Sequence, residues 1–257
     1  GAAYVNEANT LNFVIDNTSL VSQSAAGSTT LSQVTTSGAL TVSLSAGDLT
    51  VGSVSANSQA VSLSTVGAVL DGDAGTDIAA DSLSITAASV GSSTDSLDTD
   101  VANLTLSVTG AAYVNEANAL NVVSASTGLF SLSGAGNTVL TSVTATGDVT
   151  VSLSAGDLTV GSLTATGKAV SLSTVGAVVD GDDSTDISAT ALSITAASVG
   201  SSTDSLDTDV ANLTLSVTGA TYVNEANALD VSSATVGGSF MLNTSGKTTL
   251  NNLDAQA

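Results

Sequence analysis

The stretch Gly110-Ala111-Ala112-Tyr113-Val114-Asn115-Glu116-Ala117-Asn118-Ala119-Leu120 also heads the chain at Gly1 to Leu11 and returns, nearly unchanged, at Gly219 to Leu229. Its three starting glycines, Gly1, Gly110 and Gly219, set a period of 109 residues. The block from Leu83 to Ala111 recurs letter for letter at Leu192 to Ala220. A period of this kind must be read before anything else, because it marks a chain built by stacking one unit on the next. The copies run 1–109, 110–218 and, partially, 219–257. Because the third copy stops partway, the sequence reads as a piece of something larger.

Inside a copy, short segments alternate apolar and hydroxylated residues, the pattern of a strand with one buried face. Leu40, Val42 and Leu44 fall on one side, Thr41 and Ser43 on the other. The pattern returns at Val61, Leu83, Leu104 and Leu120, with Gly, Asp, Asn and Ser between. A β-sandwich would also give many short strands. Further strand-like pieces such as Leu49-Thr50-Val51 lie between these starts, however, and leave no length for antiparallel hairpins. A coil that climbs and stacks on itself accommodates them. The expected fold is all-β, a parallel β-solenoid of about twelve coils forming one continuous elongated stack. Copy three carries one extra residue between Asp230 and Phe240. A one-residue slip inside a strand would turn its apolar face outward, so the addition is placed in the Val236-Gly237-Gly238 turn.

Charge limits the partners. Twenty-three acidic residues face two lysines, Lys168 and Lys247, and there is no Arg or His, giving a formal net charge of −21. Phosphate recognition runs on Lys and Arg, so nucleic acid is excluded as a partner. No apolar run reaches the ~18 residues that span a bilayer, so no membrane insertion of this segment is expected. Composition resembles that of disordered chains in its abundant Ser, Thr, Gly and Asp, but the regular alternation of apolar residues argues for folding.

Two acidic clusters recur in each full copy. The first is Asp71, Asp73 and Asp77, repeated as Asp180, Asp182 and Asp186; the second is Asp95, Asp98 and Asp100, repeated as Asp204, Asp207 and Asp209. Oxygen-rich turns of this kind suit a hard cation such as Ca²⁺, with Asp73 and Asp95 stacked one coil apart. Asp and Gly are equally the residues that tight turns use, and neither an EF-hand nor the calcium-binding nonapeptide occurs. Both readings stand at this point. Paired carboxylates also serve glycoside hydrolysis. Faithful duplication of the clusters, six aromatic residues and the lack of His or Arg speak against an enzyme. In the opening motif, Val114 is expected inward, with Glu116 and Asn118 closing backbone groups at a coil corner; a row of contact tyrosines, Tyr4, Tyr113 and Tyr222, is the other reading. An ice-binding face would need a flat, regular Thr-x-Thr array, whereas the outward residues mix Ser, Thr and Ala across unequal coils.

With its Ser/Thr/Val alternation, its Asp-Gly turns and the run AVLDGDAGTDIAADSLSITAASVGSSTDSLDTDVANLTLSV followed by YVNEANAL, the chain resembles filamentous-haemagglutinin-like giant exoproteins. That resemblance implies a right-handed parallel β-helix, export across the outer membrane of Gram-negative bacteria, and a place in adhesion or cell-surface fibres. It makes this segment an extracellular, rigid, acidic structural rod. Its expected partners are neighbouring copies of the same protein, end to end or side by side, and a host, cell-surface or matrix component.

Overall fold

The computed structural model describes residues 2–18 and 20–255. Gly1, which heads the first copy, and residues 256–257, which close the third, lie outside the described residues. Twenty-eight strands are found there, and no helix that could cross a membrane. The strands stack in parallel as a β-solenoid of about twelve turns. The chain forms two compact units, residues 1–120 with 125–132, and residues 121–124 with 133–257.

In the first unit three faces recur in each coil. The strands Leu40–Leu44, Val54–Thr65, Ile78–Ala87 and Leu97–Val108 stack so that Leu40 lies against Val61, Val61 against Leu83, and Leu83 against Leu104. Two residues along, Val42, Leu63, Ile85 and Leu106 form the next inward column. The second face stacks Leu49, Val69, Val90 and Ala112, and the third stacks Val54, Ile78 and Thr99. All these aliphatic side chains are buried. Period-two alternation thus does the work: each strand puts every second residue inside, and the parallel ladder puts like on like.

The second unit repeats the pattern with Val149, Val170, Leu192, Leu213 and Val231 in one column. Leu158, Val178, Val199, Thr221 and Phe240 form another. The extra residue of the third copy sits where parity requires. Strand Leu229–Val236 ends before Gly237, and the next strand, Phe240–Thr244, keeps Phe240 against Thr221 and Leu242 against Val223.

The outward hydroxyls mix Ser and Thr but fall in register: Thr41, Ser62, Ser84 and Thr105 make one column, and Ser43, Ser64, Thr86 and Ser107 the next. The second unit has Thr150, Ser171, Ser193 and Thr214 in the matching column. Unequal coil lengths do not disturb these columns because the surplus is absorbed elsewhere. Between Ala56 and Ala60 the long strand bulges through Ser58, whose φ of 61° is left-handed; the corresponding bulge between Ala165 and Ala169 passes through Gly167. A bulge inserts residues on one strand without shifting the register beyond it.

Leu83 is 1% exposed and sandwiched between Val61 and Leu104. Its replacement by Ala should therefore cost about 2–5 kcal/mol of unfolding free energy. Ser84→Ala, on the outward side of the same strand, should stay within about 0.5 kcal/mol; denaturant titration of both variants checks the contrast.

Candidate functional site

The first acidic cluster lies where the chain turns between strands, whereas Asp98 and Asp100 of the second lie in the strand Leu97–Val108. After the strand Ala68–Asp71 the chain passes through Gly72 and Asp73 to Asp77, and Ile78 opens the next strand. Asp71 accepts the Asp73 N–H through Oδ1 at 2.8 Å, and Asp73 accepts the Gly75 N–H at 2.7 Å. Gly72 is required by close approach. A Cβ there would meet the Val51 carbonyl oxygen of the preceding coil at 2.6 Å.

Asp77 is the member of the cluster that sequence reasoning placed least well. It is not a solvated turn residue but is fully buried. Its main-chain N–H donates to the Asp98 carbonyl, and its Oδ2 accepts the Asp98 N–H at 2.8 Å, so the two residues clasp across successive coils. Asp98 therefore stands on Asp77, while Asp95 lies in its own tight turn, bridged to Ser92. The other oxygen of Asp77, Oδ1, is buried as well. Burial pushes the Asp77 carboxyl up to about 8, with the Asp71 and Asp73 charges adding to the rise, while the Asp98 and Gly72 N–H groups work against it. Asp71 is also raised, by burial first and then by Asp95, Asp98 and Asp73.

The second copy reproduces this site. Asp186 is fully buried, accepts the Asp207 N–H at 2.9 Å through Oδ2 and the Gly181 N–H at 3.4 Å through Oδ1. A hydrogen bond joins the Asp186 and Asp180 carboxyls, and burial raises Asp186 to about 8 and Asp180 in the same direction. Two carboxyls so placed share a proton, since both cannot be charged at that separation. Asp182 differs: it is exposed, takes hydrogen bonds from the Ser184 hydroxyl and N–H, and is held below its ordinary value by them. Among the described residues no three acidic groups converge on a common point.

The opening motif belongs to the same wall of the molecule. Ala112–Glu116 is a strand with Val114 inward, paired with Leu97–Thr99 of the coil before it. Glu116, buried at its end, accepts the Thr99 hydroxyl at 2.8 Å, the Val101 N–H at 3.1 Å and the Asn118 N–H at 3.1 Å. It therefore caps the corner of the coil. Desolvation raises Glu116 to about 7 against those hydrogen bonds. Glu225 makes the corresponding bonds to Thr208, Val210 and Asn227. Asn115 and Asn118 donate to Asp98 and Asp100, both at 2.8 Å, and Asn224 and Asn227 donate to Asp207 and Asp209. Two members of the second acidic cluster in each copy are thus tied down by side-chain amides of the motif. Tyr4 is exposed, while Tyr113 and Tyr222 are half-buried, so the three tyrosines are not equivalent contact residues.

Asp77, Asp186 and Glu116 have folded values of about 8, 8 and 7 against ordinary values of 3.8, 3.8 and 4.5. The folded chain keeps protons that the unfolded chain releases, so their contribution to stability is complete below about pH 4 and disappears as pH rises through 7 to 8. The melting temperature should fall steadily from pH 5 to pH 9, and Asp77→Asn with Asp186→Asn should flatten that profile. Thermal melts across the range check both outcomes. Comparison with known proteins gives no matching family model, no matching curated protein and no matching solved structure.

Proposed function

We propose that this chain is a structural segment of an extracellular adhesin or cell-surface filament, a stiff acidic spacer whose task is reach and surface presentation. The observation that carries this reading is the reproduction of the whole coil architecture, core columns, outward hydroxyl columns and clasped carboxyls, at a 109-residue interval. A repeated scaffold with the same polar wall in each copy is suited to extending a fibre by adding units. High negative charge keeps such a surface soluble and apart from nucleic acid and anionic membranes.

Neighbouring copies are the partners this reading favours. A host, cell-surface or matrix component would meet the outward faces.

Antibodies raised against the chain should label intact cells of the organism that makes it as strongly as permeabilised ones. Labelling that appears only after permeabilisation would contradict the surface assignment, and turnover on a panel of glycans would contradict the structural one.

A further inference from the structure

We infer that each 109-residue copy adds five and a half coils, so that equivalent surfaces pass from one side of the stack to the other between successive copies, and that Glu116 and Glu225 splice the ladder where the sides are exchanged. The first unit holds the opening motif twice. The strand Ala2–Glu7 lies on the first face, where one column takes five coil steps through Ala3, Val21, Leu40, Val61, Leu83 and Leu104. Ala112 follows Ala3 by 109 residues, yet it lies over Val90 on the second face, and its strand ends with Glu116 over Thr99 on the third. The second copy of the motif thus crosses both faces that stand opposite the first.

The second unit shows the same exchange with other strands. Thr138–Leu140 and Val143–Ala145 lie beneath Leu158–Val160 and the start of Leu163–Thr174. Their equivalents in the third copy, Thr248–Leu250 and Leu253–Ala255, both lie over the single strand Leu229–Val236. That strand continues the column of Val149, Val170, Leu192, Leu213 and Val231, not the column that holds Leu158. In each unit, taken by itself, the pattern changes sides once per copy.

The exchange leaves a gap in the ladder, and the motif closes it. Its strand stops at Glu116 over Thr99, and the next strand opens only at Leu120. The buried Val101 N–H therefore meets a side chain: Glu116 accepts it through both oxygens, at 3.1 and 3.2 Å, and takes the Thr99 hydroxyl at 2.8 Å. Glu225 does the same for Val210 and Thr208. A buried main-chain N–H left unpaired is costly, so the carboxyl stands in for the missing strand. Under the filament reading, on which this use of the geometry rests, the same outward surface returns to a given side only in every second copy, after eleven coils, about 53 Å at the spacing of neighbouring strands. Lateral partners of a filament so built are met alike from both sides, and neither side is a dedicated binding face.

Paired-cysteine oxidation inside each unit tests the half-turn. Tyr4→Cys should cross-link with Ser22→Cys, its neighbour on the first face, and not with Thr30→Cys, which heads towards Thr50 and Leu70 on the second face. Thr249→Cys should cross-link with Asp230→Cys and not with Tyr222→Cys. A whole number of coils per copy requires the opposite preference in both units, and that result would overturn the half-turn. Amide hydrogen exchange tests the splice: Glu116→Ala should speed exchange of the Val101 N–H about tenfold or more, and Glu116→Gln, which keeps an acceptor oxygen, should restore most of the protection. Unchanged exchange in Glu116→Ala contradicts the splice. Should that variant fail to fold, Glu225→Ala read at Val210 supplies the same measurement. None of these outcomes depends on where the chain resides, so they stand or fall apart from the cell-surface labelling.

Discussion

The parallel hydrogen-bond ladder between successive coils is the constraint on which the rest of the structure depends. Each coil must enter with its apolar parity matched to the coil below, or Val and Leu would face water while Ser and Thr were buried. Leu83 between Val61 and Leu104 is one instance, and Leu192 between Val170 and Leu213 is the same instance one copy later. Variation is consequently pushed to places that leave parity intact: the bulges at Ser58 and Gly167, and the Gly237–Gly238 turn that takes up the extra residue. Keeping the inside in register keeps the outside in register too. The hydroxyl columns are a by-product of the core.

The ladder also stacks the acidic turns in each unit, and the chain has almost no positive charge to offset them. Carboxylates are instead satisfied by backbone N–H groups, by Asn amides and by protons. Asp98 and Asp100 take the amides of Asn115 and Asn118, Glu116 takes two main-chain donors and a hydroxyl, and Asp186 shares its hydrogen bond with Asp180. Amides and N–H groups need no desolvated cation, which a buried ion pair would require at considerable cost. What remains is strain of an electrostatic kind, concentrated at Asp77 and Asp186, and it is there that pH should act on the fold.

Much of this architecture is legible in the residues. Parity identifies the inward columns at Leu40, Val61, Leu83 and Leu104, and the repeat identifies the coil as a unit, because both signals follow from side-chain alternation along a strand. The position of the extra residue in the third copy follows from the same rule. Asp77 is different. Its burial depends on the Asp98 backbone of the next coil, a contact across 21 residues that local pattern does not encode. Glu116 lies between these cases: its role at a coil corner is readable from the short polar neighbours, but its bonds to Thr99 and Val101 are not. The in-register hydroxyls were hidden by unequal coil lengths, whose surplus only the bulges reveal.

The central claim is the register of the ladder, and the absence of native cysteine makes it open to direct measurement by paired-cysteine oxidation. Ser62 and Ser84 are in-register neighbours on the outward face, so strand spacing places their Cα atoms about 4.8 Å apart, within disulfide reach. Ser62 and Ser82 are offset by two residues, which puts them beyond about 7 Å and out of reach. The chain carrying Ser62→Cys with Ser84→Cys should cross-link rapidly under mild oxidation, and the chain carrying Ser62→Cys with Ser82→Cys should not. Equal cross-linking of the two pairs, or preference for the offset pair, would contradict the stacked parallel register.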